Sequence, residues 1–434
     1  KWSGNPAVFT KFKARLVASG DRERYEPKPY ENYAQTASAT TNRIFDAYAT
    51  FRGFRNIRTT DMTAAFVNSV ATQPYFVRLP RQFEPPGTCL RLLRMLYGLR
   101  SSPASWASTL STALITDLGM TAFKDDSTLM RYVAKKGDKY TKLYQDIRHV
   151  RYTVVGRAAG CKNTETMRYG PSQVIRKSFD YGATKWIDPV ILKTVNEPLC
   201  KPGDEVIAET FVDDVKWAGS NNPLLQHLIN LLCAKFATSD EGGIDTYLGI
   251  HYSITEDIYG KMILHTDQTA YIDKMTERFE LTDTDLYPDR QNPLPSDLSG
   301  CDSDNSATLK RITEADTRWQ KKFDYPVIIG SLIHAMVHSR GDIGFAVSVL
   351  SRRTSDPRPC DYKAARMVLT YLRTTRTLGT CYKQSRMLQR QDKGMLHAAV
   401  DSSFADCEDT ARSTSGYVLW FGDSPIDWEC KRHP

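Results

Sequence analysis

The sequence predicts an α+β protein of about three folding units. Three observations carry this. The chain has 434 residues, and a domain takes roughly 150. Hydrophobic residues make up 41% and charged residues 25%, ordinary values for a globular chain, which excludes wholesale disorder, collagen-like repeats and a disulfide-held miniprotein. Alternating strand-like stretches and stretches with apolar residues every three or four positions both occur along it.

The elements follow in order. Lys11–Ala18 alternates basic with apolar residues and reads as a strand, with Lys13 and Arg15 on one side. Gly20–Glu31 carries Pro27 and Pro29 and reads as a loop, and Thr41–Ala49 as a helix. Tyr75–Leu79 is a second strand. A helical pattern extends from Leu90 to Met120, in which Trp106, Leu110, Leu114 and Leu118 recur, with Ser102 as N-cap, Pro103 first in the helix and Gly119 ending it. Residues 131–200 hold 14 Lys/Arg against 6 Asp/Glu. That surplus equals the net charge of the whole chain, and the block shows little periodicity. It is expected to loop out as a surface excursion, or else to add a phosphate-contacting surface.

Val206–Gly219 reads as strand, acidic turn, strand. A helix follows, capped by Asn222, with Leu224, Leu228, Leu231, Leu232 and Phe236 as its buried stripe. Residues 285–325 are acidic and rich in Ser and Pro, and read as a linker. Helices are expected at Val327–Val337 and Asp361–Thr374, and His397–Phe421 reads as strand, loop, strand. Nine scattered cysteines without C-x-x-C spacing suit free thiols in a reducing compartment. No apolar run reaches the ~20 residues of a membrane span, and no secretory signal is present.

Phe211-Val212-Asp213-Asp214 is the most informative tetrapeptide: apolar residues lead straight into adjacent carboxylates at a predicted hairpin tip. Adjacent acids repel, and a divalent cation such as Mg²⁺ or Mn²⁺ removes that cost; a solvated turn is the alternative. Asp61 reads either as the end of a strand, where active sites gather, or as a helix N-cap. Tyr97-Gly98-Leu99-Arg100 reads as a loop in which Gly98 lets the backbone approach a ligand, or as a plain loop before a helix. Neither phosphate-cradling glycine motif is present, nor a zinc-protease or serine-hydrolase signature.

Taken in order, these segments resemble the reverse transcriptase of copia-type LTR retrotransposons. The resemblance rests on Lys13–Ala18 with Gly20, Thr60–Asn68, Leu96–Pro103 with Trp106, Leu118–Met130, Phe211–Asp214, Tyr247–Ile250, Gly330-Ser331-Leu332, Arg340–Ile343, Leu350-Ser351-Arg352 and Tyr371-Leu372. Asp401–Asp406, Ser413–Val418 and Pro425–Trp428 resemble the start of an RNase H domain. The resemblance implies a right-hand polymerase fold: fingers and palm over 1–284 with a basic insertion at 131–200, a linker and helical thumb-like region over 285–390, and a truncated RNase H-like fragment over 391–434. It implies an RNA-directed DNA polymerase using two Mg²⁺ ions (or Mn²⁺), an RNA or DNA template–primer and dNTPs, with no membrane partner, in the cytoplasm (in a virus-like particle) or the nucleus.

By the same resemblance, Asp61, Asp213 and Asp214 fall on the catalytic, metal-binding carboxylates. Phe66 falls on the aromatic beside the sugar 2′ position, Tyr97 and Gly98 on the nucleotide pocket, and Lys13 and Arg15 on the strand facing the triphosphate. Asp401 falls on the first RNase H carboxylate; the chain stops before the others, so no RNase H activity is expected of it. Three departures stand out: the long 131–200 block, Glu209 and Lys216 flanking the acidic turn, and Gly341 in place of Pro. They also fit a catalytically inactive remnant that at most binds nucleic acid.

Overall fold

The computed structural model describes residues 16–22, 32–78, 88–155, 162–169, 178–180, 185–187, 190–281, 292–298, 302–384, 396–406 and 410–433. Lys13 and Arg15 lie outside them. Along the first half the elements are α1 (Ala39–Arg52), β1 (Ile57–Met62), β2 (Phe76–Val77), β3 (Leu90–Arg91), α2 (Ser102–Thr112), β4 (Thr121–Ala122), β5 (Leu129–Val133), β6 (Tyr144–Val155), β7 (Lys162–Tyr169), β8 (Ser178–Asp180), β9 (Lys185–Ile187), β10 (Val190–Pro198), β11 (Glu205–Phe211) and β12 (Asp214–Gly219). The second half adds α3 (Asn222–Lys235), β13 (Thr238–Gly243), β14 (Thr246–Tyr247), β15 (Ile250–Glu256), β16 (Met262–Asp267), α4 (Thr269–Arg278), α5 (Ala307–Lys310), α6 (Glu314–Lys322), α7 (Tyr325–His338), α8 (Gly344–Ser351), α9 (Pro359–Thr374), β17 (Gly379–Lys383), β18 (Leu396–Ser403), β19 (Thr414–Phe421) and β20 (Ser424–Arg432). The protein is therefore a mixed α and β chain. It forms two compact units, one of residues 1–36 and 60–241, the other of 37–59 and 242–434. No helix among the described residues is long and apolar enough to cross a membrane.

The first unit is built on a six-stranded sheet in the order β13-β1-β12-β11-β5-β4. Side chains alternate across a strand, and one face carries Met62, Met130, Val206, Ala208, Val215 and Trp217 into a core with Trp106 and Leu110 of α2 and Leu224 and Leu228 of α3. The indole of Trp217 donates to Thr60 Oγ1 at 3.1 Å, so this buried polar atom is satisfied. The other face of the β11–β12 hairpin is charged: Glu209 and Lys216 are cross-strand partners. Their Nζ and Oε2 atoms lie 2.9 Å apart with both side chains fully buried. The two departures flanking the acidic turn are thus one ion pair.

In the second unit α1 turns a polar face inward. Tyr252 Oη donates to Asp46 at 3.1 Å, and Arg43 donates to the Ile426 carbonyl at 2.8 Å. Arg43 also pairs with Asp427 at 3.1 Å and stacks 4.1 Å from the Trp428 ring centre. A Cβ on Gly341 would come within 2.9 Å of that indole, so glycine at this position leaves room for Trp428. Helices α4 to α9 enclose Ile272, Trp319, Ile328, Leu332 and Leu369. The last three strands form their own sheet, β18-β19-β20, with every residue of β18 exposed.

Several sequence expectations need correcting. The segment before Pro103 is not helical: it holds the two-residue strand β3, and α2 starts at Ser102 with Ser101 as N-cap. Asn221, not Asn222, caps α3, its Oδ1 accepting from Leu224 N at 3.0 Å. In that helix Leu231 is 36% exposed, and Leu225 and Ile229 take its place in the core. The described part of 285–325 includes α5 and α6, the latter closed by a Thr313/Asp316 capping box and buried through Trp319. The basic block is not a bare loop. Arg131 to Val133 belong to β5, Tyr140 and Cys200 are buried in the core, and 144–198 contains a three-stranded antiparallel sheet, β10-β6-β7.

Removing one member of a buried ion pair strands the other's charge, at a cost of about 3–5 kcal/mol, whereas replacing both by apolar side chains is neutral or stabilising. Glu209→Ala is therefore expected to lower unfolding stability in urea by about that much. The double change Glu209→Leu, Lys216→Met is expected to equal or exceed the parent. A single change without effect would show that water solvates the pair.

Candidate active site

The geometry of the acidic turn starts from β1. Met62 N donates to Asp213 O at 2.9 Å, and Thr60 Oγ1 reaches Val215 O two residues away on each strand. The strands are therefore antiparallel with Asp61 directly opposite Asp214. Because Met62, Val215 and Trp217 occupy the core face, the two aspartates share the opposite one. Asp213 sits in the two-residue turn between the paired Phe211 and Asp214. All three carboxylates are half-buried. Asp61 lies inside β1 and is not a helix N-cap.

The electrostatics follow. Burial, then the charges of Asp213, Asp61 and Glu241, push the Asp214 carboxyl up to about 6. Glu241 is a fourth acid that the sequence reading missed. It stands on the edge strand β13 beside β1, and its only sequence signal was one more acidic pair, Asp240-Glu241. Among the described residues no group of three or more His, Cys, Asp or Glu side chains is already spaced to hold a metal ion. The chemistry of the donor set nevertheless fits a hard divalent cation: the neighbouring carboxylates raise the proton affinity of Asp214, and oxygen donors suit Mg²⁺ or Mn²⁺.

Two interlocks hold the surroundings. Val212, at the turn, has φ of 53°, a left-handed conformation uncommon and strained for a β-branched residue. The indole of Trp106 donates to its carbonyl at 2.6 Å, tying α2 to the turn. The second interlock joins two distant segments. Ala18 N donates to Tyr97 O at 2.7 Å, and Arg100 Nε to Gly20 O at 2.9 Å. A Cβ on Gly98 (φ 91°) would lie 2.1 Å from Ala18 O, and one on Gly20 2.0 Å from Gly98 O. Both positions need glycine because two backbones touch. Phe66, after β1, sets its ring 4.7 Å from that of Tyr97. Asp401 belongs to the other unit, exposed on β18, with its Oδ1 accepting from Ser402 N at 2.9 Å.

Comparison with known proteins places the chain among transposon polyproteins. It is 24% identical over 433 residues to the retrovirus-related Pol polyprotein from transposon RE2 of Arabidopsis thaliana, covering 98% of this chain and 23% of that protein. It is 23% identical to the corresponding polyprotein from transposon TNT 1-94 of Nicotiana tabacum, again over 98% of this chain and 26% of the relative. A putative Ty5-1 transposon protein of Saccharomyces cerevisiae is 29% identical over 51% of this chain and 64% of its own length. The chain thus spans about a quarter of the length of the long relatives it matches. No family model matches it. No solved structure matches it.

A carboxyl that holds its proton more tightly folded than unfolded detracts from stability once ionised. The unfolded chain loses that proton near pH 4 and the folded chain at about 6, so the penalty grows across that window and is complete above it. Asp214→Asn should therefore raise the thermal midpoint at neutral pH, by about 2–4 °C once solvent screening of a half-exposed group is allowed for. The gain should fade near pH 4. A variant no more stable than the parent at neutral pH would contradict the repulsion.

Proposed function

The chain belongs to the retrovirus-related Pol polyproteins of transposons, and from that premise we propose that it carries the RNA-directed DNA polymerase of a copia-type element. The observation that carries this reading is the register that sets Asp61 opposite Asp214 beside Asp213. In this reading 1–284 are fingers and palm, 285–390 a linker and thumb-like region, and 391–434 an RNase H-like fragment bearing Asp401. The partners are an RNA or DNA template–primer and dNTPs, and the working compartment is a cytoplasmic particle or the nucleus.

Asp61, Asp213 and Asp214 would hold two Mg²⁺ ions (or Mn²⁺). Bound there, the ions supply acidification of the primer 3′-OH and neutralisation of charge on the triphosphate. The remaining work is positioning, as in other phosphoryl transfers. Phe66, braced against Tyr97, closes the space a ribose 2′-OH would need. Gly98 keeps the pocket wall at backbone height, Trp106 holds the strained turn through Val212 O, and Lys13 and Arg15 would face the triphosphate.

Primer extension on an RNA template with Mg²⁺ and dNTPs tests the reading. The parent chain is expected to extend the primer, and Asp213→Asn to lose at least about 100-fold in rate, the scale of removing a principal electrostatic group, with the fold kept. Phe66→Val is expected to raise the ratio of rNTP to dNTP incorporation. No extension by the parent, or full activity in Asp213→Asn, would overturn the assignment. An unchanged ratio in Phe66→Val would place that ring in a purely structural role.

A further inference from the structure

The hairpin of β2 and β3 has an exposed face that the candidate site does not use. Phe76 and Arg91 are cross-strand partners there, so their side chains leave the ladder on one side, with Cβ atoms about 5 Å apart. Arg78 follows two positions after Phe76 on that side, about 6.6 Å along the strand. The ladder continues irregularly: Ala71 N donates to Leu93 O at 3.1 Å, and Val70 bridges Arg94. Tyr75, Met95 and Leu99 are buried together as a small core, which closes without the exposed side chains. Phe76 and Val70 are each 61% exposed and Leu93 75%, and Arg78, Arg91 and Arg94 are exposed beside them. From Met62 to Thr116 the sequence holds five arginines and one acid, Glu84.

Apolarity and charge together select the occupant. Large apolar side chains grouped in water mark an interaction surface, and arginines almost free of interleaved acids call for an anion. A second copy docked face to face would set these arginines against one another, which like charges disfavour. A duplex keeps its bases stacked inside, out of reach of the Phe76 ring. A single strand supplies both needs: phosphates for the guanidinium groups and unstacked bases for the ring. We propose that the exposed face of the β2–β3 hairpin is a docking surface for single-stranded nucleic acid, with Phe76 as its stacking platform and Arg78, Arg91 and Arg94 on the phosphates. The proposal rests on the nucleic-acid reading of the chain, to which it adds the strand form this face takes, but not on catalytic activity.

Fluorescence anisotropy of a labelled single-stranded RNA bound to the full chain, from about 50 to 200 mM KCl, tests this without any polymerase readout. Phe76→Ala, a change at an exposed position, should weaken binding by at least about fivefold, and Phe76→Tyr should keep it near the parent value. Arg78→Gln/Arg91→Gln should make the slope of log affinity against log salt shallower by about 1.4, at ~0.7 per phosphate contact on a single strand. Lys261→Gln/Lys274→Gln, which removes the same charge from exposed positions elsewhere, should leave the slope at the parent value. If Phe76→Ala does not fold, as judged by circular dichroism, the arginine pair carries the test. Parent-like affinity in folded Phe76→Ala, an equal loss in Phe76→Tyr, a parent slope in the folded arginine variant or an equal slope change in the lysine control overturns the proposal. So does a Phe76→Ala chain that keeps its RNA affinity but passes from dimer to monomer in sedimentation, which would assign the face to self-association. Failed primer extension by a parent that binds the single strand through this face counts against the polymerase reading alone. Primer extension by the parent, with parent-like RNA affinity in the variants, counts against this proposal alone.

Discussion

The candidate site depends on one register, that of β1 against β12. The bond from Met62 N to Asp213 O decides which residues of each strand meet and which face they take. A slip by one residue would turn Asp61 toward the core and Met62 toward the acids, because side chains alternate strictly along a strand. The hydrophobic layer prevents this: Met62, Val215 and Trp217 are each almost wholly enclosed, and lifting any of them into water would forfeit about 2 kcal/mol or more of burial. Packing on one face thus enforces electrostatic crowding on the other.

That crowding is held in place by atoms from distant parts of the chain. Trp106 reaches the acidic turn from a helix more than a hundred positions earlier, and Gly20 and Gly98 let two backbones meet at a distance no side chain would permit. The buried Glu209–Lys216 pair sits on the same hairpin and on the face of the aspartates. A charge pair there specifies the pairing of β11 with β12 by complementarity, where an apolar pair would specify it by burial.

The sequence made much of this legible. The β11 and β12 strands, the acidic turn between them, α1, α7, α9 and the strand carrying Asp61 are all visible as local patterns, and the order of short motifs carried the family. What escaped was set by contacts across the chain. The partnership of Glu209 and Lys216, and the place of Glu241, exist only once strands pair. The strands of 144–198 escaped because β10-β6-β7 lacks the clean apolar alternation that marks a half-buried strand. Helix α6 was hidden in an acidic stretch whose one strong anchor is Trp319. The caps of α2 and α3 were displaced by one residue, since Pro stands second in each of these helices, with Ser101 and Asn221 as the caps.

We propose that this register makes Asp61, Asp213 and Asp214 one divalent-cation site. Mn²⁺ binding to the full chain at neutral pH, followed by the loss of the free-ion electron paramagnetic resonance signal, tests it without substrate or turnover. Saturable binding by the parent is expected, with at least about tenfold weaker binding in both Asp61→Asn and Asp214→Asn, a loss on the scale seen when groups supporting a metal site are removed. Parent-like Mn²⁺ affinity in Asp61→Asn would contradict it, because the carboxylate brought from β1 would then have no part in the site.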